Sequence, residues 1–199
     1  MPVASQSPKV VVLAGPNGAG KSTSAAQLLL GALHIDEFVN ADTIAQGLSA
    51  FAQDRVAFQA GRIMLGRLNE LAAARADFGY ETTLASRSYA VWLRQLRETG
   101  YTTHLLFLWL PSADLAVARV ADRVRLGGHN VPEATVRRRY AAGLRNLREL
   151  YLPLADSWKM IDNTSVGQSR VIAAGIAGQP AEVYLDEIWN GILNMKTQP

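Results

Sequence analysis

A short apolar segment that runs directly into a glycine-rich loop constrains this chain more than any other part of its sequence. Residues 10–14 are all apolar, as in a strand buried on both faces, and residues 23–30 continue as a helix. Between them stands Gly15-Pro16-Asn17-Gly18-Ala19-Gly20-Lys21-Ser22, with the spacing G-x-x-x-x-G-K-[ST]. Because strand, loop and helix follow in this order, the pattern predicts a phosphate-binding loop rather than a chance cluster of glycines.

The residue types in this loop suit a nucleoside triphosphate. Glycines allow backbone N–H groups to converge on a phosphate, and the N-terminus of the following helix adds partial positive charge. Lys21 can reach the β- and γ-phosphates, the Ser22 hydroxyl can bind Mg²⁺, and Thr23 adds a second hydroxyl. The predicted nucleotide-binding residues of the loop are Gly15, Pro16, Asn17, Gly18, Ala19, Gly20, Lys21, Ser22 and Thr23.

The rest of the chain alternates short apolar strands with helices. Predicted strands cover residues 34–40, 77–84, 101–110, 158–161 and 170–174. Predicted helices begin near residue 43 and cover residues 54–75, 86–99, 113–125, 132–151 and 182–195. This alternation predicts an α/β fold, a mainly parallel sheet with helices on both faces. At 199 residues we expect a single domain over 1–199, within which 119–149 forms a helical, arginine-rich lid.

The composition is that of an ordinary globular chain. It is 49% hydrophobic and 19% charged, and it contains no cysteine, which suits a reducing compartment. The longest apolar run, residues 105–110, is too short to cross a bilayer, and residues 1–7 lack the pattern of a signal peptide. We therefore expect a cytoplasmic protein with no membrane partner.

An asparagine and an aspartate follow the second predicted strand. In an open α/β sheet, ligands bind beyond the carboxyl ends of the strands, so Asn40 and Asp42 would face the phosphate loop. Asp42 could accept the proton of an attacking hydroxyl, orient that hydroxyl, or reach Mg²⁺ through water. The alternative is that Asp42 only caps the helix that begins near residue 43.

A second polar group ends the strand over 77–84. Glu81 could bind a substrate hydroxyl or act as an acidic partner of the metal, and Thr82 and Thr83 could donate to substrate oxygens. The alternative is a solvated strand edge, in which threonine is common. The strand over 101–110 ends in Pro111, where many related ATPases have an aspartate, and this raises the importance of Asp42 and Glu81.

Positive charge is concentrated in one segment. Residues 119–149 contain eight arginines and three acidic residues, whereas the whole chain has a net charge of only +3. Arginines carried by a lid can neutralise the charge of a moving phosphoryl group and exclude water. The alternatives are arginines that lie along solvated helix faces, or a nucleic-acid groove, which we do not favour because aromatic residues are not interleaved.

Several of these motifs together resemble those of the zeta toxin kinases, in particular the short bacterial proteins described as predicted ATPases. The resemblance extends from the first strand to Asn163. Besides the loop, it rests on Phe38-Val39-Asn40-Ala41-Asp42, Glu81-Thr82-Thr83-Leu84, Arg119-Val120-Ala121-Asp122-Arg123-Val124, Gly127-Gly128-His129-Asn130-Val131-Pro132, Arg137-Arg138-Arg139-Tyr140 and Asp162-Asn163.

The resemblance implies a P-loop kinase that uses ATP and Mg²⁺ to phosphorylate a hydroxyl of a small metabolite. In zeta toxins this is the 3′-hydroxyl of the sugar of UDP-N-acetylglucosamine, which is our first expectation for the acceptor, and an antitoxin protein is a possible partner. By motif position, Lys21 resembles the phosphate-binding lysine, Asp42 the base and Glu81 a substrate-binding carboxylate. Arg123 and Arg138 resemble the arginines that clamp the phosphates.

For each of two further residues, the sequence leaves two roles open. Asn163 follows the predicted strand over 158–161 and could bind the adenine edge, since an amide offers a donor and an acceptor, or it could belong to a turn. His129 lies in a glycine-rich corner and is a candidate phosphate or substrate contact, with a structural role as its alternative.

Two other functional classes stay open at this point. One is a P-loop ATPase that acts as a nucleotide-dependent switch on a protein partner, and the other is a polynucleotide kinase. The chain has no Leu-Ser-Gly-Gly signature of ABC ATPases and no Asn-Lys-x-Asp base reader of GTPases. Phosphorylation of a small-molecule hydroxyl is therefore the function we expect first.

Overall fold

The computed structural model describes residues 7–165 and 167–195, and in this part of the chain seven strands form one sheet. The strands are β1 (Lys9–Ala14), β2 (Glu37–Val39), β3 (Phe78–Thr82), β4 (Thr102–Trp109), β5 (Ser157–Asp162), β6 (Arg170–Ile176) and β7 (Glu182–Val183). The helices are α1 (Lys21–Ala25), α2 (Ala41–Leu48), α3 (Gln53–Ala73), α4 (Ser88–Glu98), α5 (Ala113–Arg125), α6 (Glu133–Asn146) and α7 (Asp186–Asn194). Helices α1 and α6 continue as π-helical segments over Ala26–Leu33 and Leu147–Tyr151.

The phosphate-loop strand lies inside the sheet. The strand order is β2-β3-β1-β4-β5-β6-β7, and β1 pairs in parallel with both β3 and β4. Its residues from Val10 to Ala14 are completely buried, which explains why they are uniformly apolar. Because β1, β2, β3 and β4 are parallel, the loops that follow them open at the same edge of the sheet.

The predicted fold class is confirmed: the sheet is mainly parallel, and helices cover it. Among the described strands, the antiparallel pairs are those that β6 forms with β5 and with β7. The single helix predicted over 182–195 is wrong at its start, because Glu182 and Val183 pair with β6 and the helix begins at Asp186. Helix α2 begins at Ala41 rather than Thr43, because the Asn40 side chain accepts the Asp42 N–H and caps the helix two residues earlier.

Helices α5 and α6 form the arginine-rich hairpin predicted as a lid. The second half of this hairpin is attached firmly to the loop after β3. Asn146 donates its amide to the carbonyl of Leu84 at 2.8 Å, and the Tyr151 hydroxyl donates to the carbonyl of Ser86 at 2.8 Å. A Cβ on Gly143 would lie 2.4 Å from the carbonyl oxygen of Thr83, so only glycine allows this close approach.

The hydrophobic core of the sheet continues into the hairpin. Residues of β1 and β4 belong to the same buried cluster as Val120 of α5 and Val136 of α6. Within the described residues, no helix is both long enough and apolar enough to cross a membrane.

Candidate active site

Three glycines give the phosphate loop its shape. Gly15, Gly18 and Gly20 all have positive φ angles, of 146°, 76° and 82°. A Cβ on Gly15 would lie 2.4 Å from the carbonyl oxygen of Leu108, and one on Gly18 would lie 2.9 Å from the Cβ of Arg119. The loop is therefore pressed against β4 and α5, with a backbone that other residues rarely adopt.

Lys21 is held inside the loop. Its side chain is only 6% exposed, donates to the carbonyl of Pro16 at 2.9 Å and lies 3.6 Å from the Glu81 carboxylate. Burial lowers the pKa of Lys21, while the negative charges of Glu81 and Asp42 oppose this change. The lysine is thus desolvated next to carboxylates, in the position from which it can reach a bound phosphate.

Ser22, Asn40 and Glu81 form a hydrogen-bonded group beside Lys21. The Ser22 hydroxyl donates to Oε2 of Glu81 at 2.7 Å, and the Asn40 amide donates to the same oxygen at 2.8 Å. The amide also lies 3.3 Å from the Ser22 hydroxyl. The ends of β2 and β3 therefore meet at the loop, as the sequence predicts for Asn40 and Glu81.

Asp42 lies in the first turn of α2 at the same edge of the sheet. Its backbone N–H donates to Oδ1 of Asn40, while its side chain is exposed. The charge of Asp42 raises the pKa of Lys21 and that of Arg139 against the effect of burial. The carboxylate is therefore close enough to act electrostatically on both Lys21 of the phosphate loop and Arg139 of the hairpin. It does not act as the N-cap of α2, since Asn40 occupies that position.

Two arginines of the hairpin approach this carboxylate and the lysine. The positive charge of Arg123 lowers the pKa of Lys21, and Nε and Nη2 of Arg123 are buried without a hydrogen-bond partner among the described residues. Arg139 is partly buried. Burial lowers the pKa of its guanidinium, and the negative charge of Asp42 opposes this change. Arg138, which the sequence favoured, is exposed, and its role stays a prediction.

Helical periodicity in the sequence could have identified Arg139 as a residue near the site, although the motif comparison did not. Val136, Tyr140 and Gly143 mark the stripe of α6 that packs into the protein. Arg139 lies three residues after Val136 and four before Gly143, so helical periodicity places it beside that stripe. The resemblance to the zeta toxins pointed instead to its neighbour.

Other arginines of residues 119–149 have structural partners. Arg119 donates to the carbonyls of Gly18, Asn163 and Thr164, at distances of 3.4, 2.9 and 2.6 Å. Arg125 pairs with Asp122, Arg137 with Asp114 and Glu133, and Arg148 with carbonyls at the end of α7. The high arginine count therefore reflects both the site and the attachment of the hairpin.

Asn163 is hydrogen-bonded to the backbone of the phosphate loop. Its amide nitrogen donates to the carbonyl of Ala19 at 2.6 Å, and its amide oxygen accepts from the Ser169 hydroxyl at 2.6 Å. A Cβ on Gly20 would lie 2.8 Å from the same nitrogen. This geometry gives Asn163 a role in shaping the loop, and its predicted contact with adenine stays a prediction.

The remaining predicted residues lie around the site. Thr82 accepts the Leu84 N–H at 3.1 Å, which stabilises the turn after β3, where Leu84 has a φ of 58°. Thr83 lies where α6 touches that turn, and His129 lies in the connection between α5 and α6. The predicted substrate contacts of Thr82, Thr83 and His129 stay predictions.

Ser22 and Glu81 can hold a magnesium ion. The described residues contain no cluster of three or more histidine, cysteine, aspartate or glutamate side chains suited to a metal. Mg²⁺ does not need such a cluster, because it is commonly held by one or two protein oxygens together with phosphate oxygens and water. The hydroxyl of Ser22 and the carboxylate of Glu81 are donors of this kind, 2.7 Å apart beside the loop.

Comparisons with known proteins agree with this architecture. An uncharacterized protein of Haemophilus influenzae is 28% identical over 139 residues, which cover 66% of this chain and 92% of that protein. A chain of the AvrRxo1-ORF1:-ORF2 complex with ATP aligns with a TM-score of 0.74 and 17% identity, over 93% of this chain. This chain spans only 63% of that chain's length.

A second solved structure also shares the fold. A chain of the PezAT chromosomal toxin–antitoxin system of Streptococcus pneumoniae aligns with a TM-score of 0.59 and 14% identity, over 84% of this chain and 73% of that one. The family described as AAA domain matches residues 10–145, more than half of the sequence. The chain therefore belongs to the AAA domain family, and its fold is that of a P-loop kinase.

Proposed function

We propose that this protein is an ATP-dependent kinase that transfers the γ-phosphoryl group of ATP to a hydroxyl of a small molecule. The observation that carries this proposal is the convergence of three separate elements on Lys21. Asp42 comes from the start of α2, Glu81 from the end of β3 and Arg123 from α5, and the charge of each acts on the lysine. A pure nucleotide binder has no need for a carboxylate and arginines around the terminal phosphate.

In the proposed reaction, the backbone of the phosphate loop and Lys21 hold the triphosphate of ATP. The acceptor hydroxyl lies next to Asp42, whose carboxylate takes the hydroxyl proton as the oxygen attacks the γ-phosphorus. The bond between the γ-phosphorus and the bridging oxygen breaks, and ADP leaves. Arg123 and Arg139 stabilise the negative charge on the transferred group, and the hairpin keeps water away from it.

Magnesium fits this proposal through Ser22 and Glu81. When bound, the ion neutralises charge on the β- and γ-phosphate oxygens. Glu81 accepts hydrogen bonds from Ser22 and Asn40 and lies 3.6 Å from Lys21. These contacts keep the donor set in place before the nucleotide arrives.

For the acceptor we propose a nucleotide sugar, with UDP-N-acetylglucosamine as the first compound to test, and for the partner an antitoxin protein. The motif resemblance to zeta toxins supports the acceptor. The fold shared with a chain of the PezAT toxin–antitoxin system supports the partner. The cytoplasm is the compartment that fits a chain without cysteine that uses ATP.

Two alanine variants test the mechanism. Lys21→Ala and Asp42→Ala should each reduce phosphorylation by at least about 100-fold, because each removes a group that acts on the reacting atoms. Only Lys21→Ala should also weaken ATP binding strongly, as measured by calorimetry with ATP and Mg²⁺. Asp36→Ala, which removes an exposed aspartate beside β2, is the control. Equal rates for Asp42→Ala and the parent would exclude Asp42 as the base.

The acceptor is best found without assuming its identity. The protein is incubated with γ-labelled ATP and a metabolite extract, and compounds that gain a phosphate are identified by mass spectrometry. A labelled nucleotide sugar that is absent with Asp42→Ala supports the proposal. ATP turnover that needs no acceptor would favour a nucleotide-dependent switch instead, and labelling of RNA or DNA ends would favour a polynucleotide kinase.

A further inference from the structure

A cleft of about 660 Å³ lies at the outer edge of the sheet, beside the edge strand β2. Its walls come from β2 and from the helices α2 and α3. The lining residues are Glu37, Phe38, Val39, Asn40, Thr43, Ile44, Ile63, Gly66, Arg67 and Glu70.

The first wall of the cleft is backbone. Strand β2 pairs in parallel with β3 on one side, and no strand of the described residues pairs with its other side. All three residues of β2 and the following Asn40 line the cleft, so the cleft follows the strand itself rather than one face of it. In such an edge strand, alternate N–H and C=O groups point away from the sheet and are available to another strand.

The two helices add apolar side chains to the cleft. Ile44 of α2 and Ile63 of α3 line the cleft with Phe38, and Gly66 leaves a gap where a side chain would otherwise stand. Ile63 also borders a neighbouring cleft of about 610 Å³ that includes Phe58, whose side chain is 81% exposed. Exposed apolar groups that continue from one cleft into the next are typical of binding surfaces.

The charged side chains of the cleft and the Asn40 amide already have partners within the protein. Arg67 lies 3.0 Å from the Glu37 carboxylate and 3.3 Å from that of Glu70. The Asn40 amide is engaged with Glu81, Ser22 and the N–H of Asp42. A small polar molecule needs several side-chain groups that converge on it, whereas here the available groups are those of a strand edge.

We propose that this cleft binds an extended segment of a partner protein, which adds to the sheet as a strand next to β2. Strand addition of this kind obtains affinity from backbone hydrogen bonds and selectivity from alternate side chains. An apolar side chain of the segment packs against Phe38, Ile44 and Ile63. A lysine or arginine of the segment faces Glu37 and Glu70, where two carboxylates share the single guanidinium of Arg67.

This inference does not depend on the kinase reaction, although the two sites adjoin. Strand β2 ends at Val39, and the next residue, Asn40, contacts both Ser22 and Glu81. A segment bound along β2 therefore lies next to residues that organise the phosphate loop.

Two glycines of α3 provide a matched pair of variants. A Cβ built on either Gly61 or Gly66 meets no other atom within 4 Å, so both positions have room for the first atom of a side chain. Only Gly66 lines the cleft. Gly66→Tyr should fill the cleft, and Gly61→Tyr is the control on the same helix. Thermal unfolding of both variants checks that the fold is kept.

The experiment screens a displayed library of random seven-residue peptides against the full-length parent protein. Peptides with alternating apolar and basic residues should be enriched. A synthetic copy of the best peptide should bind the parent and Gly61→Tyr equally in fluorescence polarisation, and Gly66→Tyr at least tenfold more weakly. The same peptide with alternate backbone amides methylated along one edge should lose binding to the same extent, since its side chains are unchanged.

Three results would overturn the proposal. One is a screen that enriches no peptide. The second is a peptide that binds equally to Gly66→Tyr and to the parent. The third is loss of phosphorylation in Gly66→Tyr but not in Gly61→Tyr, without a peptide that competes, because the cleft would then hold the small-molecule acceptor. Failure of the kinase test with Asp42→Ala leaves the first two readouts unchanged, because both measure peptide binding alone.

Discussion

At the scale of single residues, Lys21 shows how the site uses a charge that is costly to bury. Burial disfavours the ammonium form, and only partial compensation comes from Glu81 and Asp42, so the pKa of Lys21 is lowered. Because the ammonium is already desolvated inside the loop, little water has to be removed from it when it binds a phosphate. Little of the free energy of nucleotide binding is then spent on desolvating the lysine.

The lowered pKa predicts how stability depends on pH. Between the lowered folded-state value and the ordinary value near 10.5, the unfolded chain binds the Lys21 proton more strongly than the folded chain does. The free energy of unfolding should therefore rise with pH across that window in the parent, relative to Lys21→Met. Urea denaturation of both proteins at several pH values from 7 to 10.5 measures this difference. A difference that does not change with pH would contradict the assigned burial of the charge.

Arg138 and Arg139 offer a second prediction at this scale. They are neighbours on α6, but Arg139 is partly buried and interacts with Asp42, while Arg138 is exposed. Arg139→Gln should reduce the rate of phosphoryl transfer by about 100-fold, the usual effect of losing one preorganised donor, and Arg138→Gln by less than about threefold. Steady-state kinetics with the identified acceptor decides this. A larger loss of rate in Arg138→Gln than in Arg139→Gln would instead favour Arg138 as the arginine that binds the phosphates.

At the scale of elements, the contact between α6 and the turn after β3 fixes the hairpin to the sheet. Gly143 makes that contact possible, because its Cα lies against the carbonyl of Thr83. The same turn follows Glu81, so the hairpin and the carboxylate are positioned by one junction. This is why arginines far from the loop in sequence reach the site in a defined orientation.

A single methyl group tests this junction. Gly143→Ala should destabilise the protein by about 1–3 kcal/mol, because the new Cβ would lie 2.4 Å from a backbone oxygen and one element must shift. Gly61→Ala, where the added methyl meets nothing within 4 Å, should instead stabilise α3 by about 0.5–1 kcal/mol. Chemical denaturation measures both. Similar changes in the two variants would mean that the junction tolerates movement.

At the scale of the whole molecule, the connection between α5 and α6 is an exposed part of the hairpin, and we expect it to move when a ligand binds. Leu126 is 89% exposed, and Gly127 has a φ of 84°. The second half of α6 is attached to the turn after β3, so movement is limited to the corner and the adjacent helix ends. Closure of this corner over ATP would bring the buried, unpartnered nitrogens of Arg123 to an anionic ligand.

Limited proteolysis should detect this closure. Arg125 lies at the corner with a highly exposed side chain, so trypsin should cut the ligand-free protein there. ATP with Mg²⁺ should slow cleavage at Arg125 by about fivefold or more, since cleavage follows the population of open states. Lys21→Ala, which we expect to bind ATP poorly, should show no protection. Equal cleavage of the parent with and without ATP would mean that the hairpin does not close.

Much of the fold could be predicted from local patterns. The uninterrupted apolar residues of β1 and β4, and the glycines of the loop, leave few other conformations, and the strand-helix alternation implies a parallel sheet. The start of α7 could not be predicted, because Glu182 and Val183 are locally compatible with a helix and become a strand only by pairing with β6. The role of Asn163 was equally hidden, since its partner Ala19 is distant in sequence.

By itself, the sequence determined the phosphate loop, because a backbone with three positive φ angles strongly favours glycine and because Lys21 and Ser22 are fixed by their spacing from it. It also determined that Asn40 and Glu81 end strands, and hence that they lie at the same edge of the sheet. The tertiary structure decided which arginines face the site and that Asn40, rather than Asp42, caps α2. Those outcomes depend on burial and on contacts between elements, which exist only once the helices have packed against the sheet.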